Sequence, residues 1–118
     1  MRIIRALGDF MGSQAQYVKQ PSVTDRLKSG GKTVTTAGTR VQLSTSSVNC
    51  IDLIVQAKRS NTGRIYIGGS DVANDDAHGI YLTAGQSISL NITNLNQVYL
   101  DSSVSGEGVA YTYTETQG

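Results

Sequence analysis

After residue 32, apolar and polar residues alternate in run after run, and this alternation constrains the fold more than any other feature of the chain. In "CIDLIVQAK", Ile51, Leu53, Val55 and Ala57 face one way and Asp52, Gln56 and Lys58 the other, with Ile54 alone breaking the polar face. Seven further stretches carry the same period: "KTVTT", "TRVQLS", "RIYIG", "GIYLT", "SISLNIT", "QVYLD" and "GVAYTYTE". A repeat of two is the mark of a strand with one buried face. The expected inward residues include Val41, Leu43, Ile65, Ile67, Ile80, Leu82, Ile88, Leu90, Ile92, Val98, Leu100, Val109, Tyr111 and Tyr113.

Between these runs lie "AGT", "SNTG", "GGSD", "TAGQ", "TNLN" and "SGEG", which hold the Gly, Asn and Ser that turns require. Short strands at this spacing predict an all-β protein, a β-sandwich of about eight short antiparallel strands. Eight strands in two sheets suit a jelly roll. The chain has 13 Gly, one Pro and no Trp, and its 118 residues are enough for one domain with a modest core.

Residues 1–32 read differently. "MRIIRALGDFMGSQAQYVKQPSVTDRLK" sustains neither a strand nor a helix period, and Gly8, Gly12 and Pro21 interrupt it. Ile3, Ile4, Leu7, Phe10, Tyr17 and Val18 are nevertheless too apolar for a solvated tail. The expectation is an extended N-terminal arm, residues 1–32, that orders against a neighbouring chain, followed by a β-sandwich domain, residues 33–118. The partner-binding residues are then Arg2, Ile3, Ile4, Arg5, Leu7, Phe10, Tyr17 and Val18. Charge divides at the same place. The arm holds six basic and two acidic residues, and the body four basic and seven acidic. A basic arm on an acidic body is the result.

"NTGRIYIGGSDV", running into "DVANDDAHG", crowds glycines around three apolar residues and sets Asp71, Asn74, Asp75, Asp76 and His78 close together. Clustered oxygens suit calcium, but Val72 and Ala73 break the alternate-ligand spacing of a calcium loop. One His and one distant Cys make a poor zinc set. A solvated loop between strands is expected, with no metal and no cofactor. Catalysis is not expected either. His78 is the only histidine, so any nucleophile–histidine arrangement must use it. Asp52, Asp101 and Glu107 could supply paired carboxylates, but Asp52 lies on an outer face and Glu107 in a glycine turn. Nucleic acid is not expected as a partner, because the basic residues are scattered rather than set in a stripe with stacking aromatics. The single Cys50 excludes an internal disulfide and is expected at the edge of the core or on the outer strand face. No apolar run approaches membrane-spanning length and no secretory signal is visible.

The segment from Val34 to Thr114 resembles a family of small β-structured virion proteins of tailed bacteriophages. The residues that carry the resemblance are "TTAGTRVQLS", "NTGRIYIGGSDV", "GIYLTAGQSISL" and "NLNQVYLDSSVSGEGVAYTY". The resemblance implies a non-enzymatic virion component: a capsid decoration (cement) protein, or a head-to-tail, neck or tail accessory protein. It implies major capsid protein or other virion proteins as partners, a homo-oligomer with a trimer favoured, and a location on the capsid surface or at the neck or tail after synthesis in the bacterial host cytoplasm. It carries over no catalytic residue; Gly63, Gly68, Gly69, Gly79, Gly85, Gly106 and Gly108 would shape turns. A carbohydrate-binding module for host attachment, using exposed tyrosines and the Asp71–His78 loop, is the alternative from a different class.

Overall fold

The computed structural model describes residues 26–116. The arm residues Arg2, Ile3, Ile4, Arg5, Leu7, Phe10, Tyr17 and Val18 lie outside the described residues. Eight strands follow in order: β1 (Leu27–Val34), β2 (Val41–Gln42), β3 (Cys50–Ala57), β4 (Ile65–Gly68), β5 (Ile80–Leu82), β6 (Ser87–Leu90), β7 (Tyr99–Ser102) and β8 (Glu107–Glu115), with one short 3-10 turn at Leu95–Gln97. Each of the eight alternating runs contributes one strand. No α-helix is present among the described residues, and none of their helices is long and apolar enough to cross a membrane.

The strands form two antiparallel sheets of four, in the orders β1-β8-β3-β6 and β2-β7-β4-β5. Their facing residues make one sandwich-like core. Val34, Leu53, Val55, Ala57 and Val109 come from the first sheet, and Ile65, Ile67, Leu82 and Leu100 from the second. Leu43, Leu95 and Val98 close it from the connecting segments. Removing these side chains from water supplies the main drive for folding, about 25 cal/mol for each Å² of apolar surface. Strand β1 begins at Leu27 and pairs with β8 over its whole length, from Leu27↔Thr114 to Val34↔Glu107. Residues 27–32, assigned by the sequence to the arm, are thus part of the first sheet.

Strand β3 departs from its expected alternation. Ile51 is 43% exposed and Cys50 is buried in the core at 1%, the reverse of the reading from period two. The cause is a register shift against β8 between Ile51 and Ile54. Asp52 sits inside this bulge with φ +56°, a left-handed conformation that Asp tolerates better than most residues. One extra residue swaps the faces of the strand before it, so Cys50 turns inward and Ile51 outward.

Candidate functional site

Two surfaces on the described residues carry unusual chemistry. The first surrounds Arg64. Its guanidinium carbon lies 4.4 Å from the ring centre of Tyr81, an arrangement in which the ring face attracts the cation. Tyr81 is paired across β4 and β5 with Tyr66, and their ring centres are 6.1 Å apart at a 58° tilt. The Tyr66 hydroxyl first, then Tyr81 and Asp76, hold the Arg64 guanidinium above its ordinary pKa. The ion pair to Asp76 is long, 3.5 Å, and both side chains are exposed, so it contributes little. Asn61, Thr62, Gly63, Arg64, Thr83 and Ser103 line an open polar cleft of about 570 Å³ beside this group.

The Asp71–His78 loop folds back on itself at the edge of that cleft. Asp75 Oδ1 accepts hydrogen bonds from the Ala77 amide at 2.9 Å and the His78 amide at 3.0 Å, and His78 Nδ1 lies 3.2 Å away. The Ala77 amide, then His78, lower the Asp75 carboxyl below its ordinary value. Asn74 Nδ2 donates to the Ser102 carbonyl at 3.3 Å and ties the loop to β7. Gly79 closes it with φ +117°; a Cβ there would stand 2.9 Å from the Ile67 carbonyl oxygen. The Asp75 carboxylate is thereby occupied by the loop's own turn, and that of Asp76 faces Arg64. Among the described residues, no three His, Cys, Asp or Glu side chains are gathered as a metal-binding group.

The carboxylates considered for catalysis are held in separate structural roles. Asp52 occupies the β3 bulge. Asp101 is buried at 2% exposure and accepts from the amides of Gly38 at 2.9 Å and Ser102 at 2.7 Å. Glu107 accepts from the amides of Thr62 and Gly63 at 2.6 and 2.9 Å and from the Thr62 hydroxyl at 2.8 Å. Asp101 and Glu107 fasten loops to strands.

The second surface is an apolar groove of about 360 Å³ between β5 and β6, the edge strands on one side of the two sheets. Ile67 and Val98 form its buried floor, and Ile80, Ile88, Leu90 and Ile92 its rim. Ile80, expected inward, is 56% exposed. It stands opposite Ile67 on the last pair of β5 with β4, and among the described residues no further strand pairs with β5. Edge strands are commonly guarded by charge, proline or brevity. Strand β1 carries Lys28 and Lys32, and β2 is two residues long. Strands β5 ("IYL") and β6 ("SISL") are short but carry no charge.

Sequence reading did not anticipate the groove or the Arg64–Tyr81 contact. Both join residues whose adjacency depends on strand order. The absence of charge from "GIYLTAGQSISL" was the available signal, and it gains meaning only once both segments are known to be edges.

Comparison of the chain with family models, curated proteins and solved structures returns no match.

Proposed function

We propose that this chain is a non-enzymatic structural virion protein of a tailed bacteriophage: a capsid decoration protein that binds the outer shell and stabilises it, with the N-terminal arm as anchor. The observation that carries this reading is the strand order. Orders β1-β8-β3-β6 and β2-β7-β4-β5 pair the first strand with the last, the second with the seventh and the fourth with the fifth. We read that order as jelly-roll winding, an architecture used repeatedly by viral capsid and lectin domains. Fold alone does not assign function, and here it joins the resemblance carried by "NTGRIYIGGSDV" and "NLNQVYLDSSVSGEGVAYTY".

A decoration protein works by adding interface area to a strained shell. A compact body with an arm suits that task, because arms that order on binding cover large surfaces. Many copies held on one lattice also gain from avidity. The major capsid protein is the proposed partner, with self-association into a trimer on the shell. The test is the copy number of the chain in purified virions, by quantitative mass spectrometry against the major capsid protein. Comparable numbers support the decoration role. A small number matching one ring moves the protein to the neck or tail, and absence from virions overturns the reading.

The Arg64–Tyr66–Tyr81 group beside a polar cleft favours a second reading, a carbohydrate-binding module for host attachment. Glycan-array binding lost in Tyr81→Ala would support it; no binding by the intact chain would remove it.

A further inference from the structure

We propose that the cleft beside Arg64 binds an acidic saccharide, a sugar ring carrying a carboxylate, and that the Arg64 guanidinium receives the carboxylate. The proposal rests on the carbohydrate reading of the same cleft and names the ligand class of that reading.

Arg64 is held in place before any ligand arrives. Its amide donates to Ser103 Oγ at 2.8 Å, and its carbonyl accepts from the Ser103 amide at 3.0 Å. The side chain is exposed, but its guanidinium carbon sits 4.4 Å over the Tyr81 ring. A ring face attracts the charge and uses none of the five N–H donors. Nη1 points at Asp76 across 3.5 Å, and the Tyr66 hydroxyl accepts from another donor. The remaining donors form part of the planar fork that matches a carboxylate. An exposed ion pair as long as Arg64–Asp76 holds little energy, so an incoming carboxylate can displace Asp76.

The neighbouring charges favour an anion. Glu107 already accepts from the Thr62 amide, the Thr62 hydroxyl and the Gly63 amide, which neutralises much of its repulsion. Arg59 stands beside the Thr83–Ala84 wall, its Cγ 3.9 Å from where a Cβ on Gly85 would be. It makes no ion pair among the described residues. Two arginines against one loosely paired aspartate give the site a positive balance.

The lining suits a sugar rather than a bare phosphate. The volume of about 570 Å³ falls within the range of roughly 300–1,000 Å³ of small-ligand clefts. Thr62, Thr83 and Ser103 bring hydroxyls to it. Thr62 Oγ1 gives its hydrogen to Glu107 at 2.8 Å and so presents lone pairs. Ser103 Oγ accepts from the Arg64 amide and keeps its own hydrogen to donate. The Thr83 hydroxyl has no partner among the described residues. Hydroxyls that both donate and accept match those of a sugar. The backbone amides of Asn61, Thr62, Gly63 and Arg64 are all spent inside the protein. A phosphate-cradling nest of free amides is therefore missing from this loop.

The test titrates the nitrogen-15-labelled full-length chain with trigalacturonate and, separately, with its fully methyl-esterified form, the same sugar without its charge. The acid should shift the amide resonances of residues 62–64, 83–84 and 103, and bind at least about tenfold tighter than the ester. Arg64→Gln, which keeps both backbone bonds to Ser103, should reduce the acid to the ester's affinity. Asp76→Asn should raise affinity for the acid alone, by roughly two- to fivefold, a gain that a damaged fold does not produce. Equal binding of acid and ester, unchanged in Arg64→Gln, overturns the proposal and leaves the carbohydrate reading standing. Equal shifts with inorganic phosphate at the same concentration overturn the saccharide and leave a bare anion site. No shift with either sugar overturns the proposal, and the glycan array then decides the carbohydrate reading by itself.

Discussion

Asn61 and Gly108 exchange two hydrogen bonds: Asn61 Nδ2 donates to the Gly108 carbonyl at 2.8 Å, and the Gly108 amide donates to Asn61 Oδ1 at 3.3 Å. The side-chain amide takes the part of a short strand against β8. It is buried and fixes the turn after β3, where the Asn61 amide also donates to the Lys58 carbonyl. Burying an amide is favourable only when its hydrogen bonds are made. Asn61→Ala removes one partner and strands the Gly108 amide, so a loss of about 1–3 kcal/mol is expected in urea unfolding. Gly108→Ala is expected to cost roughly as much or more. Its Cβ would collide with the Lys32 carbonyl oxygen on β1, and β1 is held to β8 along its whole length. A stability change within experimental error for either variant would contradict this account.

Glu107 makes stability depend on acid. The Thr62 amide, followed by the Gly63 amide and the Thr62 hydroxyl, lowers its carboxyl below the ordinary value of 4.5. The folded protein therefore binds this proton less readily than the unfolded chain. The resulting stability is fully present above the unfolded value and is lost as pH falls through the depressed folded value. Glu107→Gln should lower the thermal midpoint at pH 7 and flatten its fall between about pH 5 and pH 3. Parallel acid profiles for the two proteins would show that the carboxylate contributes nothing.

Asp52 pins the bulge that reverses β3. At φ +56° an ordinary L-residue is strained by about 1–2 kcal/mol, and glycine is not. Asp52→Gly should leave stability unchanged or slightly higher, and Asp52→Val should lower it by about 1–2 kcal/mol. Chemical denaturation of the two variants checks the order. If Val is tolerated as well as Gly, the bulge is not held by the backbone of this residue.

The bulge also shows where legibility in the sequence stops. All eight strands were readable, because each carries its own alternation. Ile65, Ile67, Val98, Leu100 and Val109 face inward as that alternation requires. The first residues of β3 were misread because a single inserted residue leaves no compositional trace; Asp52 is as ordinary on an outer face as in a bulge. The start of β1 was misread for a related reason. "LKSGG" has no alternation and a single apolar residue, the exposed Leu27, and it pairs with β8 through its backbone. The groove and the Arg64–Tyr81 contact required knowledge of which strands are edges, a long-range property that no local pattern encodes.

The start of β1 gives a truncation test. Removing residues 1–25 keeps every register pair between β1 and β8, whereas removing residues 1–32 deletes most of β1. The second truncation strips β8 of its partner on the side away from β3 and uncovers Val109, which is fully buried. An unpaired, newly exposed edge of that length promotes association. The shorter deletion should keep the intact chain's cooperative thermal transition, and the longer one should lose it or aggregate. Equal stability of the two would mean that β1 is dispensable.

Cys50 offers a readout of the whole core. It is the only cysteine in the chain, and the β3 bulge turns it inward to 1% exposure. Burial raises its thiol above the ordinary value of 9.0, so the reactive thiolate is suppressed in the folded state. The sign of the linkage follows. A raised folded value stabilises the fold below the unfolded pKa, and that contribution is lost as pH rises through the folded value. At pH 8 a thiol-specific reagent should label the native protein far more slowly than the urea-unfolded chain. The native rate should increase in proportion to the unfolded population in variants such as Leu53→Ala, where a cavity costs roughly 2–5 kcal/mol. Rapid labelling of the native protein, insensitive to such destabilisation, would place Cys50 on the outer face, as plain alternation along β3 requires, and would remove the bulge from the fold.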